Sequence, residues 1–110
     1  MVIKNISKNS LISTKAKLAQ SFLDRLLGLL NPHNPPFLIF KTRYGIHTFF
    51  MKHPIDVLLL DSHLRVIKLK ECLKPFRVFL YHPKYSHVLE MPKGTIQKKH
   101  IHINDKISIE

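Results

Sequence analysis

Apolar residues along the chain come in short stretches of strand length that are separated by turn-forming residues. The two central stretches, Ile46–Met51 and Ile55–Leu60, lie on either side of Pro54 and are bounded by Gly45 and Asp61. Stretches this short, bounded by Gly, Pro or Asp, are typical of buried β-strands. Because proline has no N–H for a sheet ladder, we expect Pro54 at a bend or at the first position of the second strand.

The same criteria predict further strands and turns along the chain. Residues 11–18 alternate between polar and apolar as a half-buried strand does, although the spacing of Leu18 and Phe22 also fits a helix. Residues 73–84 contain Pro75 and Pro83 and are predicted to form a loop that covers one end of a barrel. The remaining predicted elements are strands at 2–6, 37–40, 65–70, 86–91 and 106–109, turns at 7–10, 61–64 and 104–105, and a turn or single helical turn at 94–99.

One main helix is predicted, at about residues 21–30. Ser21 and Asp24 resemble a capping box at its start, and Asn31–Pro32 ends it. Its apolar stripe consists of Phe22, Leu26, Leu29 and Leu30. With 110 residues the chain has room for a single core. We therefore expect one domain, residues 1–110, of the α+β class and mainly β. It would be a small antiparallel-rich barrel or a strongly curved sheet with this one helix.

Three separated blocks of the sequence resemble a known protein family. They are Ile46–Lys52 with Pro54–Val57 and Leu60–Asp61, then Ala19, Phe22, Arg25 and Gly28–Leu30, and then Val88–Thr95. Taken in their order along the chain, these blocks resemble the domain of unknown function family 192. The resemblance implies the same small β-barrel-like architecture and a biochemical role that is unsettled. The chain departs from the family pattern at two places. Asn104 stands where the family usually has a glycine before Asp105, and Asn31–Pro32 replaces the polar or basic residue that often follows the helix motif. Since asparagine tolerates left-handed φ, the turn at Asn104 can survive.

The chain is strongly basic and contains one cysteine. Eighteen Lys and Arg against seven Asp and Glu give a formal net charge of +11, which attracts polyanions. Cys72 alone cannot form an intrachain disulfide, and residues 1–18 contain no apolar run of signal-peptide or membrane-spanning length. We therefore expect a basic, cytoplasmic protein without a membrane span.

Arg25 is the starting point for a candidate binding site. It borders the apolar stripe of the predicted helix, and a buried guanidinium needs an acidic partner, for which Asp56 and Glu90 are the candidates. One interpretation is an internal ion pair that fixes the helix to the sheet. The other is a polar pocket in which Arg25, with His47 and Lys52 around it, binds an anionic ligand. The predicted ligand-binding residues are Arg25, His47, Lys52, Asp56 and Glu90.

Metal and catalytic sites have less support in the sequence. His47, His53 and Asp56 carry donor atoms, but six residues and a proline bend separate the two histidines, and His100 and His102 share a strand face at most. Cys72 and the serines lack the surroundings of a nucleophile. No catalytic residue, metal or cofactor is therefore predicted.

These observations rank three functions. The first is a non-enzymatic ligand-binding or accessory module, whose partner would be an anionic small molecule or another protein. The second is binding of nucleic acid or another polyanion, because basic and aromatic residues are interleaved between Lys74 and Tyr85 and further basic residues follow at Lys93, Lys98, Lys99 and His100. The third is an uncharacterised enzyme that uses His47, Asp56 and Arg25. The sequence indicates no oligomeric state.

Overall fold

A computed structural model describes residues 1–18, 37–40, 45–47, 54–74, 78–80 and 86–110, with the backbone alone described for residues 40, 45–47 and 78–80. Ten strands and one helical turn lie in these ranges. In chain order they are β1 (Ile3–Asn5), β2 (Ser10–Ser13), β3 (Lys17–Leu18), β4 (Leu38–Phe40), β5 (Gly45–His47), β6 (Ile55–Leu60), β7 (Val66–Leu73), β8 (Val78–Leu80), β9 (His87–Pro92), α1 (Thr95–Lys98) and β10 (Ile107–Ile109).

The described strands form three sheets. A three-stranded sheet has the order β10-β1-β2, a five-stranded sheet has the order β3-β4-β9-β6-β7, and β5 pairs with β8. Every described pair is antiparallel except β3 with β4. The mainly β, antiparallel-rich fold predicted from the sequence is confirmed. Among the described strands the five-stranded sheet is open, with β3 and β7 at its edges, so it does not close into a barrel.

The first hairpin confirms one prediction and corrects another. Strands β1 and β2 pair across the turn at residues 6–9, in which Asn9 has a φ of 51°. Asparagine is among the residues that adopt this left-handed conformation most readily. Residues 11–18, predicted as one strand, instead contribute to β2 and β3, which belong to different sheets. Polar and apolar residues alternate without a break there, but a bend at Thr14 separates the two strands.

Strand β6 lies inside the five-stranded sheet and is buried on both faces. It begins directly after Pro54, as predicted, and all six of its residues are buried. It pairs with β9 in a regular register, in which Asp56 lies opposite Met91 and Val57 lies opposite Glu90. Since successive side chains of a strand point to opposite faces, this register fixes which residues of the two strands share a face.

The two faces of this sheet carry different residues. One face, here called the core face, carries residues that all belong to the main hydrophobic cluster: Ile39, Leu58, Leu60, Leu89 and Met91. The opposite face, here called the Glu90 face, carries Leu38, Val57, Leu59, Val88 and Glu90. The core face packs with the three-stranded sheet and α1, whose contributions to the same cluster are Ile3, Ile12, Ile107 and Ile96.

Two segments differ from the predictions, and a third predicted segment lies outside the described residues. Strand β7 is longer than the predicted 65–70, and two register shifts interrupt its pairing with β6. Strand β8 lies within residues 73–84, which the prolines had indicated as a loop. The predicted helix at 21–30 lies outside the described residues. Within the described ranges, no helix has the length and apolar character needed to cross a bilayer.

Candidate functional site

Two of the five predicted site residues have described side chains. Asp56 lies on β6 and Glu90 on β9, and both are buried. The backbone of His47 pairs with Val78 between β5 and β8, but its side chain is not among those described. Arg25 and Lys52 lie outside the described residues. The predicted grouping of all five side chains therefore stays a prediction.

Asp56 connects three elements on the core face. Its Oδ1 accepts the backbone N–H of Cys72 at 2.9 Å, and its Oδ2 accepts that of Ile96 at 2.9 Å. Cys72 lies where β7 bulges and has a φ of 52°, while Ile96 is in the first turn of α1. Charge-assisted hydrogen bonds from backbone amides are stronger than neutral ones. The carboxylate therefore holds the bulge and the helical turn against β6.

Glu90 has different surroundings. It lies on the middle strand of the five-stranded sheet, is 0% exposed, and has Leu38 and Val57 directly opposite it on the two neighbouring strands. Burying a carboxylate among apolar side chains is costly unless a cation or hydrogen-bond donors compensate for it. Because Glu90 pairs with Val57 and not with Asp56, the two acids lie on opposite faces of the sheet. A pocket on one face of the sheet therefore cannot contain both side chains.

Lysines border the Glu90 face at the edge of the sheet. Lys70 lies opposite Val57, and Lys68 lies opposite Leu59, so both point to the side of the sheet that carries Glu90. Both are exposed, whereas the intervening Leu69 belongs to the core face and is half-buried. Since strands are spaced at about 4.8 Å, Lys70 is two strand spacings from Glu90. The face thus combines a buried acid with a basic margin.

A concave region lies on the other side of β7. A groove of about 350 Å³ opens between β7 and α1, and its described lining is Leu69, Glu71, Ile96, Gln97, His100, Ile101 and His102. Ile96 and Ile101 are buried and form its apolar base, while Glu71, Gln97, His100 and His102 are exposed at its rim. Glu71 and Gln97 were not predicted as site residues, because the sequence pattern does not show that β7 and α1 lie side by side.

Metal ligands do not converge in the described part of the chain. There, no group of three or more His, Cys, Asp or Glu side chains is arranged to hold a metal ion. The histidines of the groove and Glu71 do not form such a group. His53 lies outside the described residues.

Comparison with known proteins identifies the family. The model of the DUF192 family, described as uncharacterized ACR, matches residues 3–109. The chain belongs to the DUF192 family. A UPF0127 protein of Pyrococcus horikoshii is 35% identical over 112 residues, which cover 96% of this chain and 96% of that protein. The resemblance read from the three sequence blocks is confirmed, and the family remains one of unknown function.

Two solved structures share the fold of this DUF192 chain. A protein of unknown function from Novosphingobium aromaticivorans superposes with a TM-score of 0.78 at 16% identity, covering 98% of this chain and 82% of that one. A structure from Sinorhizobium meliloti, with a suggested role as a transcription regulator, gives a TM-score of 0.79 at 17% identity, covering 97% and 89%. Identities this low establish a common fold and nothing about activity.

Asn104, one of the two expected departures from the family pattern, lies beside a buried cluster of hydrogen bonds around Asp105, here called the clasp. Asp105 is 5% exposed and accepts hydrogen bonds from Asn5 Nδ2 at 2.9 Å, from Lys8 Nζ at 2.8 Å and from the backbone N–H of His102 at 2.9 Å. Asn104 has a φ of 74°, so asparagine does adopt the left-handed conformation expected of the family's glycine. The clasp ties the first hairpin to the segment before β10, and sequence analysis did not predict it.

The clasp also determines the protonation of Asp105. Burial by itself would raise the pKa of this carboxyl, but the hydrogen bonds from Lys8, Asn5 and the His102 N–H, with the charge of Lys8, outweigh burial and hold the pKa below its ordinary value. Asp105 is therefore ionised at neutral pH. Both of its oxygens are used within the fold, which indicates a structural and not a ligand-binding role.

Proposed function

We propose that this DUF192 chain is a non-enzymatic ligand-binding or accessory module whose polar pocket lies on the Glu90 face. Its ligand would be a small anion that is bound by basic side chains which Glu90 holds in place. The predicted members of the pocket are Glu90, Arg25, His47 and Lys52. Asp56 is no longer part of this set, because its two oxygens are bonded to backbone amides on the core face.

The observation that carries the proposal is the burial of Glu90 in the middle of the sheet. A fully buried acid flanked by Leu38 and Val57 does not improve packing, since apolar residues of similar volume fill such positions at lower cost. Buried ionisable groups are concentrated at functional sites. The exposed lysines at the margin of the same face, Lys68 and Lys70, add positive charge that favours an anion.

Arg25 would link the acid to the ligand. A guanidinium has five N–H donors in a planar fork, so it can pair with a carboxylate and still present donors to an anion. The sequence gives two candidate acidic partners for Arg25, Asp56 and Glu90. The carboxylate of Asp56 already accepts the backbone N–H groups of Cys72 and Ile96. Glu90 is therefore the preferred partner in this proposal.

Methyl-labelled protein provides the test, because methyl groups report separately on the two faces of the sheet. Inorganic phosphate and citrate are titrated into protein labelled at the methyl groups of Ile, Leu and Val. We expect saturable shifts at Leu38, Val57, Leu59 and Val88 on the Glu90 face. The methyls of Leu58 and Leu89 on the core face serve as the internal control and should remain unchanged. Equal shifts on both faces, or none on the Glu90 face, would contradict the proposal.

Substitution of Glu90 separates a pocket from a merely structural pair. Glu90→Gln should remove the response of the Glu90-face methyls to phosphate, whereas Glu110→Gln, the same change at an exposed residue, should retain it. Arg25→Ala should cost about 3–5 kcal/mol of folding stability, since it leaves a buried charge uncompensated. The double variant should cost clearly less than the sum of the single variants. Additive losses would show that Arg25 and Glu90 are not partners.

A second candidate, polyanion binding, is favoured by the exposed lysines of the edge strand together with the net charge of +11. The suggested role of the Sinorhizobium structure points the same way for that protein alone. Fluorescence anisotropy of a labelled DNA duplex, measured over a salt series, tests it. If the DNA affinity depends steeply on salt concentration, and less steeply in the double variant Lys68→Gln/Lys70→Gln, DNA binds along this edge. An unchanged slope would exclude these lysines from the contact.

A further inference from the structure

The groove between β7 and α1 differs in charge from the chain as a whole. The protein carries a net charge of +11, yet among the described residues that line the groove the only formal charge is the carboxylate of Glu71. Lys70 precedes Glu71 in the sequence, but its position opposite Val57 directs it to the Glu90 face. The described lining of the groove therefore carries one carboxylate and no Lys or Arg.

The polar groups at the rim are rich in hydrogen-bond acceptors. Glu71 contributes carboxylate oxygens, Gln97 contributes an amide oxygen, and the imidazoles of His100 and His102 contribute ring nitrogens, of which a neutral imidazole has one as an acceptor. An ammonium group has three N–H donors and no acceptor, which matches this set. The buried side chains of Ile96 and Ile101 offer an apolar base against which the body of a ligand would pack.

The two walls of the groove are held at a fixed separation. Asp56 binds the N–H of Cys72, directly after Glu71, and the N–H of Ile96 at the start of α1. Left-handed backbone occurs on both sides of the groove, with φ 52° at Cys72 and 54° at His100. Non-glycine residues in this conformation persist only where the surrounding structure enforces it, and they are concentrated at functional sites. Rigid walls reduce the ordering cost of binding.

We infer that this groove binds a small organic cation, an amine with an apolar body. The ammonium would lie between Glu71 and the imidazoles, and the apolar part would lie on Ile96 and Ile101. The volume of about 350 Å³ is at the lower end of the range of small-molecule pockets. This site is separate from the Glu90 face and does not depend on the function proposed there.

Three probes of nearly equal shape and different charge test the inference. Phenethylammonium, 2-phenylethanol and phenylacetate are titrated into isotope-labelled protein, and backbone amide shifts are followed residue by residue. We expect the cation to bind with a Kd of about 1 mM or below. It should shift the amides of Leu69, Glu71 and residues 96–102. The neutral alcohol should bind more weakly, and phenylacetate should leave these amides unchanged.

Two variants and one control locate the binding. Glu71→Gln should weaken phenethylammonium binding about two- to fivefold, as expected for a solvent-accessible ion pair. Gln97→Trp fills the groove from an exposed position and should prevent binding of both the cation and the alcohol. Glu110→Gln removes the same charge elsewhere and should leave the affinity unchanged. Thermal unfolding of each variant shows whether the fold is retained.

Three results would overturn the inference. The first is the absence of saturable shifts at the groove with phenethylammonium. The second is phenylacetate binding at the groove as well as the cation does, because the charge of Glu71 would then select nothing. The third is cation binding that persists unchanged in folded Gln97→Trp, which would place it elsewhere on the surface.

Discussion

Asp56 gives the sharpest test of how this fold is held together. Asp56→Ala removes the acceptor for two backbone amides, those of Cys72 and Ile96, at a residue that is 1% exposed. A donor left without its partner in a buried site costs about 1–3 kcal/mol, and bonds to a charged acceptor lie at the upper end of that range. We therefore expect Asp56→Ala to lower the free energy of unfolding by about 3–5 kcal/mol.

The chain offers a matched control in Asp61. Its Oδ1 also accepts two backbone amides, those of His63 at 2.9 Å and Arg65 at 3.0 Å, but in an exposed turn. Water can replace the carboxylate there, so Asp61→Ala should cost about 1 kcal/mol, as for the loss of an exposed helix cap. Urea unfolding, followed by circular dichroism, measures both variants under the same conditions.

Because Asp56 and Asp61 each accept two backbone amides, the difference between the two variants in free energy of unfolding measures the effect of burial and not that of the number of hydrogen bonds. If Asp56→Ala costs no more than Asp61→Ala, the carboxylate does not carry the connection between β7 and α1 that the structure assigns to it. Asp56→Asn refines the test, because one acceptor oxygen remains while the amide group faces the second N–H. It should lie between the wild type and Asp56→Ala.

Two further predictions concern the segment before β10. The folded-state pKa of Asp105 lies below its ordinary value of 3.8, so its stabilising contribution is complete above that pH and is lost as the pH falls through the lower folded-state value. The urea midpoint of the wild type should therefore fall more steeply below about pH 4 than that of Asp105→Asn, and parallel curves would contradict this. Asn104→Ala should cost about 1 kcal/mol because alanine tolerates left-handed φ poorly, whereas Asn104→Gly should stay within about 0.5 kcal/mol of the wild type. Equal urea midpoints for the two variants would show that the φ of 74° does not constrain this position.

The sequence predicted most of the strands because each carries its own signal. Pro54 and Asp61 mark the ends of β6, and Asp61 closes the following turn by accepting the amides of His63 and Arg65. Gly94, with a φ of 90°, begins the single helical turn within the predicted range 94–99. These features depend on residues close together in the chain, and local chemistry decides them.

The pairing of strands was less predictable, since it depends on residues far apart in the chain. Strand β6 is buried on both faces, so its apolar run has no alternation that would indicate its neighbours. The bulge near Cys72 depends on an acceptor from β6, 16 residues away in sequence. Strand β8 forms by pairing with β5 in a region where prolines had predicted a loop. In each case a tertiary contact outweighed the local signal.

The candidate site shows the same limit in one comparison. Asp56 and Glu90 each lie between apolar residues, so the sequence treated them as equivalent partners for Arg25. Only the register of β6 with β9 places them on opposite faces, because a shift by one residue would have brought them to the same side. Backbone amides hold Asp56 on the core face, whereas Glu90 lies on the opposite face, between Leu38 and Val57 of the neighbouring strands. Burial of a carboxylate in the middle of a sheet is costly, and buried ionisable groups are concentrated at functional sites, so Glu90 is the acid to test for binding.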